Sequence, residues 1–284
     1  MKIILKIIFK SLRQHMHSSA LAVLSIAVSI AMLTAVISLR EQTQSNFTRI
    51  GHGIDGVLGP KGSPLQIVLN AVYHIEETPG KIKWEYYKKV KQDPIVEIAV
   101  PFCSGHSYAG FRVNAIEEEF FSGFEYQPGK IFSFKESDGG AGRVFKENDE
   151  AVAGYEAAKA LKLKLGSVFN PVCGVNAGDP VHNDVIKITG IMAPTGTPHD
   201  RAIYIPLKAF YTLSGHGGEV NAMALDEKYR EISGAYIKIR RIRNGIMHPG
   251  VQDLKYNVNQ SQSAQFVVPN EVLPRLFNII GWID

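Results

Sequence analysis

The stretch "ALAVLSIAVSIAMLTAVISL", Ala20 to Leu39, constrains this chain more than any other. It carries no charge, and serine and threonine are its only polar side chains. As a helix it runs about 30 Å, the thickness of a bilayer's hydrocarbon core. Ser25, Ser29, Thr34 and Ser38 can return their hydroxyls to the helix backbone, so they cost little there. Ala20, Ala22, Ala27, Ala31 and Ala35 leave room for close packing against another membrane helix. The rival reading is a cleaved signal peptide, whose basic start and apolar middle also fit. The apolar run is long for such a peptide and no small-x-small cleavage site follows it, which favours an uncleaved anchor over 20–39.

Charge orients that anchor. The net charge is +4, and Lys2, Lys6, Lys10 and Arg13 precede any acidic residue. The remaining 27 basic residues balance 27 acidic ones, so the whole excess sits at the N-terminus. That places the N-terminus in the cytoplasm and the bulk of the chain outside. It also argues against a nucleic-acid partner, which needs a basic patch on the folded domain. Within residues 1–16, Ile4, Ile8 and Leu12 recur beside a row of cations. This predicts an amphipathic helix on the inner membrane surface, with the disordered start of a signal sequence as the alternative. Cys103 and Cys173 have no CxxC spacing, so a zinc site of the usual kind is not expected. Outside the cytoplasm they can pair, which spacing alone does not decide.

Beyond the span, "VLGPKGSPLQIVLNAVYHIEE" packs glycines, a lysine and a serine into one turn. A phosphate-binding loop places its lysine after the last glycine, whereas Lys61 precedes Gly62. Pro60 also removes a backbone donor that phosphate would need. The stretch reads instead as turn, cap and helix. Ser63 caps, Pro64 takes the first helical position, and Leu65, Val68, Leu69 and Val72 form the apolar face.

Here the chain becomes familiar. Gly59, Lys61, Gly62, Ser63, Pro64, Leu65 and Gln66, followed by Tyr73 and His74, resemble the segment just beyond the first membrane helix in permease subunits of MacB/FtsX-type ABC transporters. A second run, "GYEAAKALKLKLGSVF" from Gly154 to Phe169, is similar to the helix-then-strand element of the same extracytoplasmic domain. A third, "ITGIMAPTGTPHDRAIYIPLKAFY", contains Gly190 and the Pro194-Thr195-Gly196-Thr197-Pro198 turn with Asp200 and Arg201 behind it. The three runs fall in the family's order.

The remaining pattern predicts an α+β protein, one N-terminal transmembrane helix followed by a mixed α/β extracytoplasmic domain over 41–270. Gln42 to Ile50 continues the membrane helix outward. Lys81 to Lys91 and Tyr155 to Leu161 read as helices. "VEIAVP" reads as a short strand before a proline, and "FRVNAI" as another. Asp184 to Met192 reads as a strand interrupted at Gly190. "AYIKIR" alternates, with Ala235, Ile237 and Ile239 opposite Tyr236, Lys238 and Arg240. Phe120, Phe121 and Phe124 are expected in the core, Glu136 to Asn148 and Ser214 to Gly218 as loops. Over 271–284, Leu273, Leu276, Phe277 and Ile280 share a helical face, with Trp282 suited to a membrane interface. A second membrane span would begin about there in the resembled family, and the sequence lacks that C-terminal membrane half.

No stretch offers catalytic chemistry. His52, His74, His106, His182, His199, His216 and His248 are scattered, with no i, i+4 pair on a predicted helix. His199-Asp200-Arg201 reads better as a turn held by hydrogen bonds than as an acid–base group, with Asp200 binding backbone N–H groups or Arg201. No G-x-S-x-G or dinucleotide fingerprint occurs, and Glu117-Glu118-Glu119 reads as a solvated helix start. The expectation is therefore a non-enzyme without a cofactor. The resemblance implies a permease in the bacterial inner membrane with a cytoplasmic ABC ATPase, a second permease copy, a periplasmic adaptor and membrane lipid as partners. Gly59 to Pro64, Tyr73, His74, Gly190, Pro194 to Thr197 and Asp200 would be structural or contact elements. A single-span anchored sensor or adaptor is the alternative.

Overall fold

The computed structural model describes residues 3–4, 10, 13–49, 53–137, 140–174, 176, 178–214 and 226–280. The chain divides into two units, Met1–Thr48 and Arg49–Asp284. The first contains helix α1 (Met16–Arg49), long and apolar enough to cross a membrane between Met16 and Leu39. Ser25 and Ser29 donate to the carbonyls of Leu21 and Ser25 at 2.9 and 2.8 Å, and Thr34 donates to Ile30 at 2.9 Å. The hydroxyls are thus satisfied within the helix, as an apolar solvent demands. Most of the expected amphipathic helix over 1–16 lies outside the described residues.

The second unit is built on one mixed sheet. Its strands are β1 (Gly56–Pro60), β2 (Val96–Tyr108), β3 (Phe111–Ile116), β4 (Glu150–Ala153), β5 (Val168–Phe169), β6 (Val172–Cys173), β7 (Ile186–Ile191), β8 (Ala202–Pro206), β9 (Gly234–Ile239) and β10 (Ala264–Val267). Their spatial order is β5-β7-β4-β8-β3-β2-β9-β1-β10, with β6 paired to β2 off this path. The pairs β4–β7 and β3–β8 are parallel, and the rest are antiparallel.

Both faces of the sheet are covered. Ile203, Ile205, Ala235 and Ile237 belong to one apolar cluster with Trp84 and Tyr87. Tyr204 and Tyr236, one register position away, are fully buried among the rings of Phe120, Phe121 and Phe124. A strand buried on both faces needs apolar residues at every position. In "AYIKIR", whose alternation suggests one wet face, Ala235, Tyr236, Ile237 and Ile239 are buried, while Lys238 is half-buried and Arg240 lies exposed past the strand end. Helices α2 (Pro64–Ala71), α3 (Trp84–Lys91), α4 (Glu119–Gly123), α5 (Tyr155–Leu161), α6 (Leu207–Thr212), α7 (Val251–Asn259) and α8 (Pro269–Ile280) complete the unit.

The short strand expected at Val96 to Pro101 is longer: β2 continues to Tyr108. Pro101 pairs with Ala235 of β9, but pairing with β3 begins only at Phe102, so on that side no partner strand needs the missing N–H. The expected loop at 136–148 holds a two-residue hairpin, Glu136–Ser137 with Gly140–Ala141, and a buried Phe145. Residues 215–218 and Trp282 lie outside the described residues, as do the side chains of Leu276, Phe277 and Ile280.

Candidate functional site

The Gly59–Pro64 run is a strand end, a turn and a helix start. Gly59 is needed for close approach, since a Cβ there would meet the Ile67 side chain at 3.0 Å. Lys61 points its ammonium at the carbonyl of Asn259, 2.6 Å away at the C-terminal end of α7. A cation suits that end of a helix dipole. Gln265 Nε2 donates to the carbonyls of Pro60 and Gly62 at 3.0 and 2.9 Å, so the turn is tied from the far end of the chain. Ser63 is the N-cap of α2, accepting from the Gln66 N–H at 3.4 Å, with Pro64 at the start of the helix. The cap and the proline are where the sequence predicts them. Gly62 has no comparable reason: a Cβ would meet only Pro79 at 3.8 Å.

Past α2, Tyr73 is buried and burial raises its phenol pKa. His74 adopts a left-handed backbone, φ 56°, which costs a non-glycine residue about 1–2 kcal/mol. Its buried ring offsets this with a set of hydrogen bonds. Asn114 of β3 donates its amide to His74 Nδ1 at 3.1 Å, which leaves the proton of His74 on Nε2. That nitrogen faces Tyr204 Oη at 3.2 Å and His199 Nδ1 at 3.1 Å. Tyr204 donates its hydroxyl to His199 Nδ1 at 2.7 Å. Asn114 and Tyr204 are register partners on the parallel pair β3–β8, so the sheet itself sets their spacing. Phe120 and Phe132 pack on His199. Burial, with the neighbouring His199 and Arg112, holds His74 well below the usual imidazole range; burial alone lowers His199 to about 4. Both rings are neutral at neutral pH.

The Pro194–Asp200 turn is a carboxylate cage. Asp200, 4% exposed, accepts from the N–H groups of Thr195 and Gly196 at 3.0 and 2.8 Å and from the Thr195 hydroxyl at 2.8 Å. Thr195 and Thr197 join hydroxyls at 2.7 Å. Gly196 sits at φ 69°, a conformation that favours glycine. Of the two partners expected for Asp200, the backbone donors are the ones seen.

The three quoted runs converge here. Gly154, at the head of the second run, lies against the third: a Cβ would meet the carbonyl oxygens of His199 and Asp200 at 2.4 and 2.5 Å. Its N–H donates to Ala202 O at 2.8 Å. His74, at the end of the first run, bonds His199 of the third. Gly190 sits one layer away, at an irregularity in the β4–β7 register, with a Cβ position 2.3 Å from Arg143 O. Sequence reasoning missed Asn114 and Tyr204. The available signal was Asn114 itself, a polar residue between Val113 and Ala115 in the buried half of its strand.

The side chains of this centre, His74, Asn114, His199 and Tyr204, are buried. Its chemistry is that of a fully satisfied polar junction, which specifies one arrangement of its surroundings. The acidic run lies elsewhere: Glu118 and Glu119 are exposed, while half-buried Glu117 has a pKa raised by burial. With Lys146, Lys208 and Arg230 these residues line a broad depression of about 1020 Å³. Cys103 and Cys173 are both free thiols, and Cys103 lies 3.3 Å from Tyr211 Oη. His52 and His216 lie outside the described residues.

The family model for the MacB-like periplasmic core domain matches residues 19–240. No curated protein matches the chain. Among solved structures, the periplasmic region of MacB from Actinobacillus actinomycetemcomitans is 14% identical, with a TM-score of 0.47 over 80% of this chain and 95% of that one. The extracellular domain of the noncanonic ABC-type transporter YknZ from Gram-positive bacteria is also 14% identical, with a TM-score of 0.38 over 74% of this chain and 98% of that one. The family match spans both the apolar helix and most of the sheet, so this chain belongs to the family of the MacB-like periplasmic core domain.

Proposed function

We propose that this chain is a permease subunit of a MacB/FtsX-type ABC transporter, or the N-terminal part of one. A partner ATPase in the cytoplasm closes on ATP, membrane helices shift, and the outer domain moves as a body. The work is export, extraction or signalling on the outer face of a bacterial inner membrane. The chain itself breaks no bond. The observation that carries this reading is a MacB-like core domain directly behind a helix able to span a membrane. The junction of His74, His199, Tyr204 and Asn114 supports the mechanical part. It stiffens the outer domain, and a lever must be stiff to transmit displacement.

The test is purification of the full chain from the membranes of its native host, scored for a co-purifying ABC ATPase. Stoichiometric co-purification, with ATPase activity altered by the permease, is the expected outcome. A chain that purifies alone under conditions that keep the ATPase membrane-bound overturns the reading.

A further inference from the structure

We propose that His106, Cys173 and His182 form a binding site for a borderline-soft divalent cation, zinc in the first place. Among the described residues, this is the single group of three or more metal-ligating side chains close enough to share an ion. Their ligand atoms all lie within 4.8 Å of one another. Bond lengths of about 2.0–2.3 Å in a tetrahedral site put ligand atoms roughly 3.3–3.8 Å apart. Closure therefore asks for the ligand atoms to move together by about an ångström.

The backbone presents the three side chains together. Cys173 of β6 is the direct register partner of His106 on β2. The chain then turns back, and Val181 pairs with Val172. Cys173 N donates to Pro180 O at 2.9 Å and His182 N to Pro171 O at 2.8 Å, which places His182 diagonally across from Cys173 on the same face. On β2, the register shifts between Cys103 and His106, and Gly105 takes φ 146° there. Such a bulge re-aims the residue that follows. The two imidazoles lie 4.9 Å apart by ring centroids.

The surroundings fit a metal site in two further respects. His182 Nδ1 donates to the carbonyl of Ser214 at 2.5 Å, which places its proton on Nδ1 and fixes the ring's orientation. A carbonyl partner of this kind orients metal-binding histidines generally. Access exists as well. Cys173 is half-buried and lines a cavity of about 320 Å³ together with Glu77, Asp179 and Arg112, so the thiol side of the group is reached from there. Two imidazoles and a thiolate are the donor set that selects zinc over magnesium or calcium. Three protein ligands leave a fourth position for water. The ion would pin the 171–182 hairpin onto β2. The proposal stands apart from the transporter reading.

The experiment uses the full chain in detergent, without a polyhistidine tag, reduced and freed of metal by chelation. Cobalt(II) is titrated as a spectroscopic stand-in, and zinc then displaces it. The expected result is one equivalent bound per chain, with a thiolate-to-cobalt charge-transfer band and tetrahedral d–d bands. Cys173→Ser removes the charge-transfer band. His182→Gln and His106→Gln each lower zinc affinity at least tenfold. Circular dichroism of each metal-free variant checks that it is folded. If a histidine variant fails to fold, the Cys173→Ser result decides alone. A folded wild-type chain that binds no cobalt, or binds it with the same spectrum after Cys173→Ser, overturns the site.

Discussion

Asp200 shows how much one side chain can organise. Its carboxylate satisfies the N–H and the hydroxyl of buried Thr195 and the N–H of exposed Gly196. Removing it leaves those donors unsatisfied, at a cost of about 1–3 kcal/mol. Asp200→Ala is expected to lower stability by that amount, and Asp200→Asn to recover part of it, measured as the shift in urea midpoint of the full chain in detergent. The two buried histidines make a pH prediction. An imidazole in the unfolded chain takes a proton near pH 6.5, whereas His199 in the fold refuses it until about 4 and His74 is also depressed. Between those values the unfolded state binds the extra proton, so stability is fully present above 6.5 and falls as pH drops toward 4. Each ring contributes a slope of up to about 1.4 kcal/mol per pH unit. Replacing His199 by Gln is expected to flatten that slope; an unchanged pH profile would show that the pair titrates normally in the fold.

At the scale of elements, glycines separate into those that permit contact and those that do not. Gly154 lets the head of α5 touch the turn at Pro198–Arg201, and Gly190 lets β7 pass beneath Arg143 O. A methyl at either place meets a backbone oxygen that cannot swing aside. Gly154→Ala and Gly190→Ala are expected to cost about 1–3 kcal/mol in thermal or urea unfolding. Gly62→Ala makes only an ordinary contact with Pro79 and is expected to stay within about 0.5 kcal/mol of the parent. Ser63→Ala removes a long cap hydrogen bond, so the loss is expected near the lower end of the usual range, about 0.5 kcal/mol. The helix–strand boundaries of these runs were legible because caps, prolines and glycines act locally. The length of β2 was not, because a central strand can absorb a proline where only one of its two ladders, here that with β9, has begun.

For the whole molecule, topology is the testable quantity. The cationic start and the apolar span predict an extracytoplasmic reporter when it is fused after Glu41, and a cytoplasmic signal there would reverse the orientation. The fold class and the family resemblance could be read from three short runs, although those runs do not show why they matter to one another. His74 and His199 are 125 positions apart and 3.1 Å apart in space.

What the sequence determined by itself is whatever depends on neighbours along the chain. The membrane-length helix follows from twenty uncharged residues, the α2 start from Ser63 and Pro64, and the Asp200 turn from donors within five positions. Only the tertiary structure decided what depends on strand order. The parallel pairing of β3 with β8 sets Asn114 beside Tyr204, and the pairing of β6 with β2 sets Cys173 beside His106. Strand order is chosen by burying both faces of a sheet at once, a condition on the whole chain that no local window contains.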